Sequence, residues 1–329
     1  MSFDVVTIGS ATLDYFADTD SELIKIQTRT TTEELIAFPL GSKLLIKELN
    51  ITTGGGGTNT AVAFARLGFN TGYLGKVGED ANGDLVITRL KEEGVTFIGP
   101  REGQTGLSMI LNSIQQDRSI LAYKGANNFL RCDEIEPFAS QWVYLSSMLE
   151  QSLETVIDLL REQPCKLAFN PSNYQAEMGY EKLAPLIDRV DILIMNKEEA
   201  TKFLGLLPEE NHSIAFLMQK MAELPPRVTL ITDGREGAYA YDGEAFWHGQ
   251  PTPDIHVVEA TGAGDAFAAS FTAAQMMGKD TRESLHLGMT NAESVLQNKG
   301  AKERLLSREE LLETAASIQR NIRQLQMSR

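Results

Sequence analysis

Val257-Val-Glu-Ala-Thr-Gly-Ala-Gly-Asp-Ala-Phe-Ala-Ala269 sets a carboxylate, Asp265, directly behind Gly262, Ala263 and Gly264, where a strand-like run gives way to a small-residue helix. The first N–H groups of a helix have no intrahelical acceptor and carry the positive end of its dipole, so they can hold an anion. Glycine lets the main chain turn sharply and come close to a ligand. An anion cradle with a carboxylate beside it suits removal of a proton from a hydroxyl while a phosphoryl group arrives. Taken alone, the same run also reads as a plain helix start with an aspartate in its first turn.

The flanking chain alternates short apolar strands with amphipathic helices. Strand-like runs fall at Val5–Gly9, Gly72–Val77, Trp142–Leu145, Lys166–Phe169, Ile192–Met195 and Val228–Thr232. Helical runs fall between them at Thr58–Leu67, Asp84–Glu93, Ser152–Arg161, Tyr180–Leu186 and Ile214–Met221. This alternation predicts βαβ units and a mostly parallel sheet covered by helices. Beyond Asp265 the pattern predicts helices only, over Ala266–Met277, Arg282–Gln297 and Arg308–Leu325. Two segments break the rhythm, Tyr15–Ile51 and Thr105–Tyr123, whose short period-two runs predict a small accessory β-sheet. Placed over the carboxyl ends of the parallel strands, that sheet would act as a lid on a ligand site.

A second glycine cluster, Thr53-Gly-Gly-Gly-Gly-Thr-Asn-Thr-Ala, precedes a small-residue helix ending at Leu67-Gly68. No Lys-Ser or Lys-Thr follows at Walker spacing, and Asn59 stands where a dinucleotide fingerprint needs its last glycine. The cluster reads as close backbone approach to a ligand with Asn59 presenting an amide, or as a loop with a helix cap. Asp14, just after the first strand, reads as a ligand contact or a turn aspartate. Asn196-Lys-Glu-Glu199 offers an amide and a carboxylate to a Mg²⁺–phosphate, or a capping box. Thr232-Asp-Gly-Arg-Glu-Gly237 offers backbone donors, or a simple hairpin turn.

Composition narrows the function classes. The 329-residue chain is 42% hydrophobic and 23% charged, as ordinary globular proteins are. A net charge of −15 opposes binding to nucleic acid, which needs phosphate-neutralising Lys and Arg. No apolar run approaches the ~18 residues of a membrane span. The first residues, Met1-Ser-Phe-Asp-Val-Val, lack a basic n-region, which predicts a cytoplasmic protein. Cys132 and Cys165 have no metal or redox spacing, and the four histidines have no metal-ligand spacing. A Gly-x-Ser-x-Gly elbow is lacking as well.

Together and in this order, the motifs resemble those of the ribokinase-like, or PfkB, carbohydrate kinases. The likeness runs from Val5 to about Ala301 and rests on Gly54-Gly-Gly-Gly-Thr-Asn-Thr-Ala and Glu259-Ala-Thr-Gly-Ala-Gly-Asp265-Ala-Phe. It implies a three-layer α/β/α core over residues 1–14, 52–104 and 124–329, with a β lid over 15–51 and 105–123 that forms the homodimer interface in several relatives. It implies ATP and Mg²⁺ as cofactors and transfer of phosphate to a sugar hydroxyl, with Asp265 as general base and Gly262, Ala263 and Gly264 as anion hole. By the same resemblance Asp14, Gly55, Gly56 and Asn59 contact substrate, Thr232, Gly234 and Gly237 hold nucleotide phosphates, and Asn291 lines the nucleotide pocket. Glu199, with Asn196, would organise Mg²⁺ through water.

Two features depart from the family pattern. Glu259 stands where relatives place an aspartate that ligates an activating K⁺, and its longer side chain shifts the carboxylate by about one bond length. The first signature also has one glycine more than usual. A nucleoside kinase of the same family is the alternative, with Tyr15, Phe16 and Phe38 available to stack on a base. A non-catalytic binding protein on this fold is a third, opposed by the retained Asp265. Lys25, Arg29, Lys43, Arg118 and Lys124 would form a basic pocket if the substrate were phosphorylated.

Overall fold

The computed structural model describes residues 1–18, 23–27, 32–38, 40–112, 118–207 and 210–326. In chain order the first elements are β1 (Ser2–Ile8), β2 (Thr12–Asp18), β3 (Leu23–Gln27), β4 (Thr32–Ile36), β5 (Glu48–Gly54), α1 (Gly56–Arg66), β6 (Thr71–Leu74) and α2 (Ala81–Glu92). Next come β7 (Thr96–Phe97), β8 (Gly106–Asn112), β9 (Arg118–Tyr123), β10 (Ala139–Leu145), α3 (Glu150–Glu162), β11 (Lys166–Phe169), α4 (Asn173–Ala176), α5 (Gly179–Ile187) and β12 (Ile192–Asn196). The remainder is α6 (Lys197–Phe203), α7 (Ile214–Met221), β13 (Val228–Thr232), β14 (Ala238–Tyr241), β15 (Phe246–Gly249), α8 (Ala263–Met276), α9 (Thr281–Leu296), α10 (Arg308–Ser317) and β16 (Ile322–Leu325).

Ten strands form the main sheet in the order β16-β15-β14-β13-β12-β11-β10-β1-β6-β7. Pairing is parallel from β7 to β13 and antiparallel from β13 to β16. Successive strand residues point to opposite faces, and here both faces are buried. On β1 and β10, Val5, Trp142 and Tyr144 pack with α1, α8 and α9, while Val6, Ile8, Val143 and Leu145 pack with α3, α5 and α7. The result is the expected three-layer α/β/α arrangement.

A separate four-stranded sheet has the order β5-β2-β8-β9, and β3 pairs with β4 as a hairpin. In its register Asp14 lies beside Thr52 and Ser108, and Tyr15 beside Ile51 and Met109, with Met109 facing Leu121 on β9. Asp14 and the Tyr15 row therefore occupy opposite faces. The Tyr15 row is open to solvent: Ile51 is 48%, Met109 39% and Leu121 59% exposed.

Two expectations are corrected. The helix expected over Arg308–Leu325 stops at Ser317, and Ile322–Leu325 is the edge strand β16. β15 has backbone groups to pair along that edge, and Phe246 to Gly249 take Leu325 to Ile322 as partners. The strand expected at Val257 is irregular instead: Val258 and Glu259 N–H both donate to Leu296 O, at 2.8 and 3.2 Å. Those bonds satisfy a carbonyl that the end of α9 leaves without an intrahelical donor.

Candidate active site

The starts of α1 and α8 meet at one carboxylate. Asn59, in the first turn of α1 and 5% exposed, donates from Nδ2 to Asp265 Oδ2 at 2.8 Å. A Cβ built on Gly56 would stand 3.5 Å from Asp265 Oδ1, so the α1 backbone faces the same group. Asp14 joins from β2, where Thr12 Oγ1 donates to its Oδ1 at 2.8 Å. Its Oδ2 fills the space a Cβ at Gly54 would need, 1.8 Å away. The structure thus brings Asp14, Gly54–Gly56, Asn59 and Asp265 together from four elements, β2, β5, α1 and α8. Asn59 Oδ1 is buried without a hydrogen-bond partner. A buried amide oxygen in that state costs stability, and a hydroxyl from a bound molecule would satisfy it.

The α8 terminus is shaped by a left-handed residue. Gly262 has φ +82°, and a Cβ there would fall 2.4 Å from Ala301 Cβ. Ala266 N–H closes on Gly262 O at 2.9 Å, leaving the N–H groups of the preceding turn ahead of the first intrahelical bond. Around the position of a Cβ on Gly264 there is open space to 4 Å. Burial holds the Asp265 carboxyl above the usual aspartate range, the Asn59 bond and Lys302 charge work against this, and the Asp14 charge adds to it.

Asn196 and Glu199 form the capping box: Asn196 Oδ1 accepts from Glu199 N at 2.8 Å, and Glu199 Oε2 accepts from Asn196 N at 2.9 Å. Burial first, then the charges of Glu198 and Asp265, push Glu199 up to about 7 against the Asn196 bond. Burial first, then the charges of Asp265 and Glu199, raise the Tyr144 hydroxyl well above its usual range. Thr232 pairs with Asn196 in the sheet register. The following turn is closed by Asp233 N–H to Gly237 O at 2.8 Å, with φ +50° at Gly234 and +95° at Gly237. His248 Nε2 lies 2.8 Å from Glu236 O and braces that turn.

Asn291 is placed differently from a pocket-lining residue. It is fully buried, donates from Nδ2 to Ser270 Oγ at 2.7 Å and accepts from Leu306 N at 2.9 Å. Its neighbours Thr290, Glu293 and Ser294 instead line a cleft of about 520 Å³ with Thr252, His256 and Arg304. Glu259 accepts from Gly300 N at 3.0 Å and ties the two loops beside α8. Among the described residues no cluster of three or more His, Cys, Asp or Glu could hold a metal by itself. Mg²⁺ in phosphate-handling sites takes one or two carboxylates with the phosphates as further ligands, and Glu199, whose buried carboxylate a cation would stabilise, fits that pattern.

Lys302 is the site residue that sequence reading missed. Its Nζ donates to Thr53 O at 2.5 Å and lies 3.3 Å from Thr53 Oγ1. Burial pulls it down to about 8 against the charges of Asp14 and Asp265. Lys302 has no motif of its own, and only its place after Gly300-Ala301 marks it. Of the basic residues considered from sequence, Lys43 is exposed and Lys124 lies over the Tyr174 ring at 5.2 Å. Arg29 and the side chains of Lys25 and Arg118 lie outside the described residues. Tyr15 and Phe16 are neighbours on β2 and point to opposite faces of the sheet, with Phe16 8% and Phe38 38% exposed.

Among the described residues no helix is long and apolar enough to cross a membrane. Residues 4–308 match the pfkB family of carbohydrate kinases. An uncharacterized sugar kinase of Archaeoglobus fulgidus is 29% identical over 252 residues, 74% of this chain and 98% of that protein. Ribokinase of Arabidopsis thaliana is 26% identical over 310 residues, 90% of this chain and 77% of that protein. In three dimensions the chain is similar to Arabidopsis thaliana ribokinase complexed with ribose and ATP, at TM-score 0.76 and 23% identity over 96% of this chain and 99% of that one. It is equally similar to the adenosine kinase of Sinorhizobium meliloti, at TM-score 0.77 and 23% identity over 95% and 99%. The chain belongs to the pfkB family of carbohydrate kinases and has the ribokinase fold.

Proposed function

We propose that this kinase transfers the γ-phosphoryl group of ATP to a hydroxyl of a sugar or sugar-like acceptor bound between Asp14, Gly55, Gly56 and Asn59. The observation that carries this reading is the Asn59–Asp265 contact at the start of α8, which supports a carboxylate held at a helix N-terminus, where an anion is favoured. Asp265 takes the hydroxyl proton as the bond to phosphorus forms. Because the transition state of phosphoryl transfer is loose, little proton removal is needed early, and positioning and electrostatics supply most of the rate. The N–H groups of Gly262, Ala263 and Gly264 stabilise charge on the moving group. Thr232, Gly234 and Gly237 hold the nucleotide phosphates, and the Thr252–Glu293 cleft takes the base-bearing end. Mg²⁺ beside Glu199 and Asn196 would screen the phosphate charges.

The acceptor is read as a sugar, with a nucleoside of the adenosine or inosine type as the alternative within the family. The solvent-open Ile51–Met109–Leu121 row on the outer face of the lid supports homodimerisation there, since such a row is covered in stable assemblies. ATP consumption across a panel of sugars and nucleosides tests the reading. One class of acceptor is expected to stimulate phosphate transfer and to raise the melting temperature by binding the native state. No transfer to any member would overturn it.

A further inference from the structure

The loop between α9 and α10 is built more firmly than a connector requires. Ala301 packs directly on Gly262, Gly300 N–H is held by Glu259 Oε2 and Leu306 N–H by Asn291 Oδ1. Arg66 Nη1 donates to Lys302 O at 2.8 Å and Leu305 O at 3.0 Å, while its Nε and Nη2 grip Glu93 at 2.8 and 2.6 Å. These contacts fix the backbone on both sides of Lys302. Its side chain then reaches Thr53 on β5, next to Gly54 and across the register from Leu13, the neighbour of Asp14.

We propose that Lys302 is a positioning residue for phosphoryl transfer: pinned between the α8 turn and the base of the lid sheet, its ammonium keeps Asp265 in the ionised form that accepts a proton. This rests on the function proposed above. The groups acting on Lys302 are Asp14 from β2, Asp265 from α8, Glu93 beyond the end of α2 and Arg66 from α1. Asp265 faces Asn59, Lys302 and Asp14, with Glu199 and Tyr144 also in its field. Asp14 and Asp265 are like charges in one partly enclosed site, and a triphosphate arriving at the α8 turn adds more negative charge. Each of these favours a protonated, useless Asp265. Lys302 is held on Thr53, next to Gly54, whose Cβ position lies 1.8 Å from Asp14 Oδ2, and two residues further Gly56 has its Cβ position 3.5 Å from Asp265 Oδ1, so the ammonium is fixed beside the strand-to-helix turn that both carboxylates border. The same bond makes the charge depend on how the lid strand β5 is seated.

Two readouts test this. In protein carrying ¹³C-labelled lysine, assigned with Lys302→Arg, Lys302 is expected to titrate near 8 and to fall by roughly one unit in Asp265→Asn and in Asp14→Asn. With MgATP and D-ribose, or with MgATP and water where ribose is not accepted, Lys302→Met is expected to move the acid limb of kcat/KM upward by about one unit. Lys302→Arg should restore that limb and keep activity to higher pH than the parent, because guanidinium does not titrate there. An unaltered Lys302 titration in both aspartate variants, or an acid limb that stays in place in a folded Lys302→Met, would overturn the proposal. Loss of transfer in Asp265→Asn with unmoved Lys302 readouts would leave the kinase reading standing and remove only this one.

Discussion

The two glycine-rich helix starts look alike in sequence and do opposite things. At α1, glycine is used for contact: a Cβ on Gly57 would sit 2.7 Å from Gly9 C, and one on Gly55 2.4 Å from Ser10 O. Ahead of the first intrahelical bond, Asn59 N–H to Gly55 O at 2.9 Å, Gly57 N–H donates to Ser10 O at 3.1 Å; at α8 Ala263 N–H reaches Ala260 O at 3.4 Å ahead of the corresponding Ala266 bond. At α8, Gly262 is packed on Ala301, but Gly264 borders open space. One turn packs Gly55 and Gly57 against the β1–β2 backbone and so holds Asn59 in place, and the other has open space beside Gly264 at its helix terminus. Glycine count alone does not separate these roles; what surrounds each missing Cβ does.

The largest effect that would break this contrast is on stability. Gly57→Ala forces two backbones apart and is expected to cost about 2–4 kcal/mol, read by chemical denaturation. A cost below about 0.5 kcal/mol would show that the α1 turn has slack. Gly264→Ala should leave the melting temperature within about a degree of the parent, since alanine favours helix over glycine. Its kcat/KM for ATP should nevertheless fall roughly 10²-fold through crowding of the anion site. Equal losses of stability in the two variants would erase the distinction.

Smaller effects sharpen it. Glu199→Gln should lower kcat by about tenfold through weaker Mg²⁺ organisation. The native pKa of Glu199, about 7, lies above its unfolded value, so the stability linked to its protonation is full below about 4.5 and is lost as pH rises through 7. The variant's melting temperature relative to the parent should therefore improve between pH 5 and pH 8. The smallest expected effect concerns Glu259, which closes the α8 turn onto Gly300 directly. Replacing potassium by tetramethylammonium should change kcat less than about twofold, and a steep potassium requirement would show that the turn needs an ion as well.

Periodicity made the core legible. Strands such as β12 are apolar from Ile192 to Met195 because helices cover both faces, and Gly54–Asn59 and Gly262–Asp265 mark their helices by local chemistry. What stayed hidden depends on distant partners. Val257 and Val258 have strand propensity, but the end of α9 takes their segment's N–H groups. Ile322–Leu325 continues a helical pattern, but the edge of β15 pairs with it. Asn291 sits one position from Thr290, which lines the cleft, and helical rotation turns it inward to Ser270. Lys302 is brought to the site by Ala301 packing on Gly262, a contact no local pattern encodes.

The central claim, that the Gly262–Asp265 turn binds phosphate and Asp265 accepts the proton, is tested most directly by Asp265→Asn measured for binding and transfer together. The account predicts MgATP affinity within a few-fold of the parent by calorimetry, with phosphate transfer to the acceptor reduced about 10³-fold or more. Transfer within tenfold of the parent in a variant that still binds MgATP would contradict it.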